Sequence, residues 1–444
     1  MAMLINPHSI RKGMFDVIHG MADNINEYVC RPGHDFTRKR QCTFPKMIIG
    51  IMSMESHDLD GEILSGFTYG KKFIKRDNLV TSSAFVQARG KINDSTFPSL
   101  FHKFNQKFRF TKTKDGIHIL ALDGSDVNVP ADINDCNTFI PYSSNKGGYH
   151  QMHINLCYSI LDGRYSDVVI QPRSEMREAD AACSMVDNKR VKGKCLYIAD
   201  RGYECFNLMA HIMEKGDFFL IRLKNIFSQI SPYKDIAPGP DMEFDISSEF
   251  LLTRSGSAKK QDPTKMKVLP KNRRFDFIPE EDKESTYRIP FRLVAIRLDT
   301  GSYEYLVTNL PEKKYPGSVL KEYYHLRWQI ETSFLFLKYG VALNYFHSIK
   351  REFLCQEIYA KLTFYNFIAL LVSCVKPGST RKTKHTYKVS FSDAISTGRR
   401  FLLKNIRPAD VISLLEFHKT PERPGRKATR KIDSQKLRSL QHRT

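Results

Sequence analysis

The first hundred residues carry apolar side chains at the three- to four-residue spacing of amphipathic helices. On this basis we predict four helices, over residues 9–28, 45–54, 82–92 and a stretch after Pro98. Thr81 or Ser82 is a favourable N-cap for the third of them. The segment is also basic, and we predict a helical DNA-binding domain over residues 1–110. A helix-turn-helix motif within it is one hypothesis among several, because many small helical domains share this pattern.

After residue 114 the pattern changes to short apolar runs, which are typical of buried strands. We predict strands over residues 118–122, 152–160, 165–171, 195–199 and 218–223, and helices over residues 175–187 and 208–213. The second and third strands are joined by an Asp-Gly turn and form a hairpin. Strands followed by alternating strands and helices predict an α/β fold with a mixed sheet flanked by helices.

Three further segments complete the predicted organisation. Residues 111–224 and 312–376 form the two parts of the α/β core, and residues 225–311 form a β-rich insertion whose strongest strands are 289–298 and 303–310. A buried helix is predicted over residues 357–375. Residues 377–444 form a basic C-terminal region, in which an apolar helix near 411–417 docks on the rest and a disordered tail follows from Lys419.

The helix predicted over residues 324–338 has a polar face. Tyr324, Arg327, Glu331 and Lys338 fall within an arc of about 60° when each residue advances by about 100°. Apolar side chains form a separate stripe suited to packing, at Leu326, Ile330, Phe334 and Leu337. A carboxylate flanked by two cations suits a site where metal ions meet phosphate oxygens. The alternative is a solvated face with an ordinary Arg–Glu pair.

Two aspartates stand at the ends of predicted strands, Asp123 after residues 118–122 and Asp200 after residues 195–199. Because sites in α/β folds are built at strand ends, Asp123, Asp200 and Glu331 can converge. Three carboxylates suit two divalent cations, one activating a nucleophile and one stabilising the leaving oxygen of a phosphodiester. Mg²⁺ or Mn²⁺ is expected from such hard oxygen ligands. The alternative for either aspartate alone is a turn residue before Gly.

Three neighbours of Asp123 are weaker candidates. Asp126 lies beyond the predicted strand end, and we assign it a structural role. His150 and His153 have no cysteine or third histidine nearby, so we favour hydrogen bonding or stacking at the start of the next strand over metal ligation.

The charge of the chain narrows the class of partner. Its 444 residues include 69 Lys and Arg against 48 Asp and Glu, a formal net charge of +21. A polyanion offsets such self-repulsion, and nucleic acid is favoured over a membrane surface because the basic residues are spread along the chain. The nine cysteines are widely spaced and no signal-peptide pattern is present, so we expect a cytoplasmic protein with reduced thiols.

Three ordered blocks of sequence resemble those of DDE transposases of the insertion-sequence-4 family. Tyr324, Arg327, Glu331 and Lys338 fill the family's Tyr-x2-Arg-x3-Glu-x6-Lys signature without departure. Residues 122–125, Leu-Asp-Gly-Ser, resemble its first catalytic block. Residues 198–203, Ile-Ala-Asp-Arg-Gly-Tyr, resemble its second. The resemblance extends from about residue 82 to residue 366.

The resemblance implies an RNase-H-like core with a β-rich insertion before the last catalytic residue. It also implies a set of residue roles: two Mg²⁺ ions, for which Mn²⁺ substitutes, at Asp123, Asp200 and Glu331, and DNA contacts from Tyr324, Arg327 and Lys338. The implied partners are double-stranded DNA, as transposon terminal inverted repeats and as target, and a second copy of the chain in a synaptic dimer.

The implied chemistry is hydrolysis that frees a 3′-hydroxyl, followed by attack of that hydroxyl on target DNA. Some family members excise through a DNA hairpin, with a flipped base held by an aromatic residue. The only tryptophan of the chain, Trp328, lies inside the signature. A Phe or Tyr of the insertion would therefore have to hold such a base.

Three alternative functions compete with transposition; the first fits the sequence poorly, and the retained carboxylates argue against the second. A tyrosine recombinase would use Tyr324 as a covalent nucleophile and would need a His-x-x-Arg motif far from it in the sequence. His325 and Arg327 are instead adjacent to Tyr324, and their spacing is one residue short of that motif. A catalytically silent DNA-binding protein derived from a transposase would use only the basic charge and the N-terminal helices. A two-metal nuclease without strand transfer would use the same three carboxylates.

Overall fold

Five α-helices precede the first strand of the computed structural model, which describes residues 5–38, 41–68, 79–142, 147–257, 262, 264–375 and 387–421. They are α1 (Pro7–Asp23), α2 (Phe44–Ser53), α3 (Leu59–Phe67), α4 (Ser82–Arg89) and α5 (Thr96–Lys107). The side chains of Asn6, Asp58 and Thr81 cap α1, α3 and α4 by accepting a first-turn N–H. The four predicted helices are confirmed, and α3 is additional.

Helices α1, α2 and α5 pack against a long helix near the other end of the chain, α10 (Arg351–Ser373), and α3 and α4 pack on α2. The ring centroid of Phe104 in α5, for example, lies 6.3 Å from that of Phe367 in α10. Their apolar side chains belong to the same core as one face of the sheet. A separately folded DNA-binding domain ending at residue 110 therefore stays a prediction.

The central sheet begins with three long antiparallel strands, β1 (His118–Val129), β3 (Gly148–Ser159) and β4 (Arg164–Pro172). The short β2 (Phe139–Pro141) pairs with the start of β3. On the other side of β1 follow β5 (Cys195–Ala199) and β6 (Phe218–Arg222), both parallel to it. Helices α6 (Glu178–Asp187) and α7 (Phe206–Glu214) join these strands and cover one face. This is the mixed sheet flanked by helices that was expected from the sequence.

Strand β1 is longer than predicted, and the difference concerns Asp123. The parallel ladder to β5 ends at the pair Leu122–Ala199, where the prediction ended the strand. The antiparallel ladder to β3 continues to Val129. The predicted strand end was therefore wrong, because polar residues 123–126 are kept extended by pairing on one edge only. Asp123 lies at the point where the other edge becomes free.

The predicted insertion continues the same sheet. Strand β10 (Tyr303–Thr308) pairs antiparallel with β6, and β9 (Thr286–Arg297), β7 (Phe244–Thr253) and β8 (Met266–Val268) follow in that order. The β9–β10 hairpin was predicted, whereas β7 and β8 were not. Within the described residues the sheet has ten strands.

The predicted helix over residues 324–338 is not one helix. Instead α8 (Gly317–Leu326) and α9 (Trp328–Leu335) meet at Arg327, and a π-helical turn (Phe336–Gly340) follows. The N–H of Arg327 bonds to the carbonyl oxygen of Tyr324, only three residues back, which tightens the chain at the junction. The prediction of a continuous helix was wrong, because three-residue bonds interrupt the regular helical pattern on both sides of Arg327.

The chain ends its described part with two helices and a small sheet. β11 (Tyr387–Val389) pairs with β12 (Lys419–Pro421), and α11 (Phe391–Leu402) and α12 (Pro408–Phe417) lie between them. The apolar helix near residues 411–417 does dock, against α1 and α11. A disordered tail from Lys419 was wrong for residues 419–421, and its remainder lies outside the described residues. No helix in the described ranges is long and apolar enough to cross a membrane.

Candidate active site

Asp123 and Asp200 directly follow the last residue pair of the β1–β5 ladder, and each accepts a hydrogen bond from the next backbone N–H. The N–H of Gly124 donates to Oδ1 of Asp123 at 2.9 Å, and the N–H of Arg201 donates to Oδ1 of Asp200 at 2.7 Å. Asp200 thereby caps a short 3₁₀ turn (Arg201–Tyr203). Because β1 and β5 run parallel, the two carboxylates are presented at the same edge of the sheet.

Arg327 brings the third carboxylate to this edge. Helix α9 packs on β1, and the Arg327 guanidinium donates from Nη2 to Oε1 of Glu331 at 2.8 Å. Its Nη1 lies 3.8 Å from Oδ2 of Asp123. Arg327 is only 4% exposed, so its charge is committed to these acids and does not face solvent. The guanidinium lies between Asp123 and Glu331.

The three acids act on one another electrostatically. Burial raises the pKa of Asp123 to about 6, Arg327 and the Gly124 amide oppose that rise, and the charges of Glu331 and Asp200 add to it. A carboxyl group whose proton is held this tightly lies in a field that a cation would relieve. Asp123, Asp200 and Glu331, chosen from the sequence, are thus brought together by the fold.

Tyr324 points inward from α8. It is 3% exposed, and its hydroxyl has no hydrogen-bond partner among the described residues. Burial raises the pKa of Tyr324 first of all, and charges of Arg327, Asp200, Glu304 and Arg222 act on it as well. The Tyr324 ring is therefore buried beside Arg327, whose guanidinium carbon lies 5.6 Å from the ring centroid.

An ion pair missed by the sequence analysis borders the site at this point. Nε of Arg222, at the end of β6, lies 3.3 Å from Oε1 of Glu304 on β10. Burial raises the pKa of Glu304, and Arg327 and Asp200 are among the charges that act on it. No sequence signal could have found the pair, since it depends on the pairing of β6 with β10.

Lys338 approaches the site from the π-helical turn. Its ammonium Nζ donates to the backbone oxygen of Asp126, a residue of β1, at 2.7 Å. Burial lowers the pKa of Lys338, while the charge of Asp126 opposes that change. The four signature residues therefore do not share one continuous helical face, and Arg327 and Lys338 contact the middle of β1 at Asp123 and Asp126.

Asp126 and His153 form a second polar cluster on the other face of β1. Nδ1 of His153 and Oδ1 of Asp126 are 2.6 Å apart, and Nε2 of His153 lies 3.3 Å from Oε1 of Glu178. Arg173 Nε is 3.2 Å from the same Asp126 oxygen. The structural assignment of Asp126 and the hydrogen-bonding role expected for one histidine agree with these contacts. His150 hydrogen-bonds to Thr138 at 2.8 Å.

The residues present fit divalent cations by their chemistry. Asp123, Asp200 and Glu331 offer only hard carboxylate oxygens, which Mg²⁺ and Mn²⁺ prefer. Their mutual repulsion and the raised pKa of Asp123 are what bound dications would relieve. Among the described residues, however, no three acidic, His or Cys side chains are already gathered closely enough to cage an ion. Arg327 supplies the positive charge between Asp123 and Glu331.

Comparisons with known proteins address the whole arrangement. A search of curated proteins gave no match. Among solved structures, one similar chain is that of the cryo-EM structure of a piggyBac transposase synaptic complex with hairpin DNA. It shares 12% identity, with 96% of this chain and 88% of that chain covered and a TM-score of 0.44.

The family comparison matches the part of the chain that builds the site. The family model described as "Transposase DDE domain" matches residues 114–367, more than half of the chain. The matched segment runs from just before β1 into α10 and includes Asp123, Asp200 and Glu331. The chain belongs to the transposase DDE-domain family.

Proposed function

We propose that the protein is a cut-and-paste DNA transposase of the insertion-sequence-4 type, acting in the bacterial cytoplasm. The proposed reaction is hydrolysis at the transposon ends followed by transfer of the freed 3′-hydroxyls to target DNA. The observation that carries the proposal is that Asp123 and Asp200 directly follow the last β1–β5 pair, with Arg327 of the α8–α9 junction between Asp123 and Glu331. Three acids converging on a rigid sheet edge suit phosphodiester chemistry.

In this proposal Asp123, Asp200 and Glu331 hold two Mg²⁺ ions, for which Mn²⁺ substitutes. When bound, such ions activate a water or hydroxyl nucleophile and stabilise the leaving oxygen. The protein contributes the placement. The 2.9 Å bond from the Gly124 N–H fixes one oxygen of Asp123, and the 2.7 Å bond from the Arg201 N–H fixes one of Asp200.

Tyr324, Arg327 and Lys338 are proposed to bind the DNA end. Their burial places a requirement on that contact, because Tyr324 and Arg327 are only 3% and 4% exposed. A phosphate that contacts them must therefore approach closely enough to displace part of their present packing. Arg327 neutralises the acids in the free protein, and its planar guanidinium is suited to phosphate in the complex.

The same burial bears on the tyrosine-recombinase alternative. A covalent nucleophile must reach a phosphorus atom, whereas the Tyr324 hydroxyl is buried among charged side chains and its pKa is raised by that burial. We therefore propose a reaction without a protein–DNA bond. The partners are double-stranded DNA, as terminal inverted repeats and as target, and a second copy of the chain.

The test is cleavage and joining of labelled DNA that carries the gene's own flanking ends, with Mg²⁺ or Mn²⁺. Wild type is compared with Glu331→Gln, and Glu322→Gln serves as a matched control because Glu322 is an exposed glutamate on α8. We expect metal-dependent nicking and joining in wild type and in the control, and DNA binding without strand chemistry in Glu331→Gln.

Three other outcomes would change the assignment. Binding without strand chemistry in all three proteins would indicate a catalytically silent DNA-binding protein. Nicking without joining would indicate a two-metal nuclease. Activity retained in Glu331→Gln would show that another carboxylate, such as Glu304, performs the role given to Glu331.

A further inference from the structure

His153 is a buried titratable side chain that the proposed reaction does not use. It lies in β3, is 4% exposed and has a carboxylate on each side, Asp126 at Nδ1 and Glu178 at Nε2. The contact to Asp126 is a 2.6 Å hydrogen bond. The 3.3 Å contact to Glu178 has ion-pair distance without hydrogen-bond alignment. Burial disfavours the charged ring, but the two acids outweigh it and raise the pKa of His153.

The cluster stands directly behind the backbone that carries Asp123. Side chains alternate along β1, so Asp123 faces α9 while Gly124 and Asp126 face α6. A Cβ added at Gly124 would overlap Nε2 of His153 and lie 2.8 Å from Oε1 of Glu178. Only glycine leaves room for this pair, and its backbone N–H is the donor that fixes Asp123.

Glu178 also reaches the second catalytic block. A Cβ added at Gly202, two residues after Asp200, would lie 3.7 Å from Oε2 of Glu178. The hydroxyl of Tyr203 is buried without a hydrogen-bond partner among the described residues. Burial raises the pKa of Tyr203, and the charges of Asp123, Glu178 and Asp200 add to that rise.

The cluster continues through β1 to Lys338. Asp126 holds His153 and Arg173 with its carboxylate and accepts from the Lys338 ammonium with its backbone oxygen. The His153 ring therefore contacts the side chain of Asp126 and fills the space beside Gly124. The backbone carbonyl of Asp126 and the backbone amide of Gly124 hold Lys338 and Asp123.

We propose that His153 is a positioning residue of the transposition reaction: held between Asp126 and Glu178, it fixes the β1 segment that orients Asp123 and Lys338. The inference rests on the proposed function and adds a group that never touches DNA. Residues that fix catalytic side chains from behind typically change rates by about 10- to 100-fold when replaced.

The test uses the full chain and two substitutions, each of which keeps one of the two contacts that His153 makes with Asp126 and Glu178. His153→Asn places an amide nitrogen near the position of Nδ1 and keeps the bond to Asp126, whereas His153→Gln reaches toward Glu178. At saturating DNA we expect each to lower the nicking rate about tenfold or more, with the KM for DNA within about twofold. His150→Asn, on the same strand, is the matched control and should nick at the wild-type rate.

Glu178→Gln keeps the test decisive if the His153 variants fold poorly. Glu178 is 33% exposed at the start of α6, and Asp180→Asn is its control, on the same helix with 26% exposure. We expect a slower nicking rate for Glu178→Gln alone, at an unchanged thermal unfolding midpoint.

A double-mutant cycle tests the contact itself. Gly124→Ala should slow nicking because its Cβ displaces the ring, and His153→Ala should remove that obstacle. The double variant is therefore expected to be no slower than Gly124→Ala alone, whereas multiplied losses would overturn the contact.

Two results separate the inference from the function on which it rests. Variants that unfold more easily but nick at the wild-type rate would make His153 a purely structural residue and overturn the inference alone. A wild-type protein that never nicks would overturn the proposed function, and the inference with it.

Discussion

Among the acids of the site, Asp123 has the environment that is least favourable to its negative charge. Its side chain is 22% exposed, and burial raises its pKa from an ordinary 3.8 to about 6 against the opposition of Arg327. The ionised form still predominates at neutral pH, but it is less favourable in the folded protein than in the unfolded chain. Such strain is common where a site is arranged for a ligand and not for stability.

Asp123→Asn should stabilise the protein at pH 7 by about 1–3 kcal/mol, because about 2 pKa units correspond to roughly 3 kcal/mol before partial exposure is discounted. The folded pKa lies above the unfolded one, so wild type loses stability as pH rises through about 6. The gain should therefore vanish near pH 4. Urea unfolding at both pH values measures it.

The exposed Asp299 provides the control, since Asp299→Asn should change stability equally little at both pH values. A gain for Asp123→Asn that is the same at pH 4 and pH 7 would contradict the assigned cause. Under the proposed function the same variant should lose strand cleavage.

For individual residues, the sequence singled out Asp123, Asp200 and Glu331 as acids of one site. It did not indicate which charged side chains lie between them. Asp123, Asp200 and Glu331 could be chosen because strand ends and helix faces are local properties. The position of Arg327 between two of them depends on how α9 packs on β1. Glu178 and Glu304 became neighbours of the site only through packing and strand pairing between distant parts of the chain.

Among the elements, α4 and α10 are joined by a buried ion pair. Arg89 is 1% exposed and donates to Glu357 at 2.9 Å, to Gln356 at 3.0 Å and to the backbone oxygen of Phe353 at 2.6 Å. Burial would raise the pKa of Glu357, but Arg89 and His347 hold it at about 2. This contact fixes an N-terminal helix to the helix that follows the site.

Arg89→Met should lower the free energy of unfolding by about 3–5 kcal/mol, because it leaves the Glu357 charge buried without its main partner. Urea unfolding at neutral pH measures the loss. The exposed pair Arg407–Asp410 on α12 is the matched control, and Arg407→Met should produce no measurable change. A comparable loss in both variants would show that the free energy of unfolding responds to the removal of any positive charge. It would then say nothing specific about the buried Arg89–Glu357 pair.

Elements with strong periodicity were predictable, and those that depend on neighbours were not. Helix α3 contains Gly61 and Gly66, which weaken any helical signal. It forms because Asp58 caps it and because Gly66 allows close approach to α2, where a Cβ would lie 3.2 Å from the Cα of Gly50. The junction at Arg327 was likewise hidden, because the preference of its side chain for the acids of the sheet is a tertiary effect.

For the whole molecule, charge is the dominant property. The net charge of +21 predicts that much of the affinity for DNA comes from phosphate contacts. Affinity for duplex DNA should fall steeply, by about a thousandfold or more between about 50 and 200 mM salt. Fluorescence anisotropy with labelled duplex measures it, with a neutral osmolyte as the control. An affinity that does not change with salt would contradict a charge-driven interaction.

Fold class was accessible from the sequence at this scale, but the extent of the sheet was not. Alternating strands and helices predicted a mixed sheet, and the predicted insertion was placed where the rhythm breaks. That its strands join the core sheet depends on β10 pairing with β6, a contact across more than eighty residues of chain. Pairing over such separations leaves no local pattern.

The pairing of β10 with β6 also joins the inserted strands and the core strands into one rigid sheet. Strand β6 is hydrogen-bonded to β5 on one edge and to β10 on the other, so the inserted strands cannot swing away without breaking a ladder. A load applied at the far edge, where β8 ends the sheet, is carried from strand to strand toward β5. The distal edge of the sheet at β8 and Asp200, directly after β5, are thereby connected through an unbroken series of paired strands.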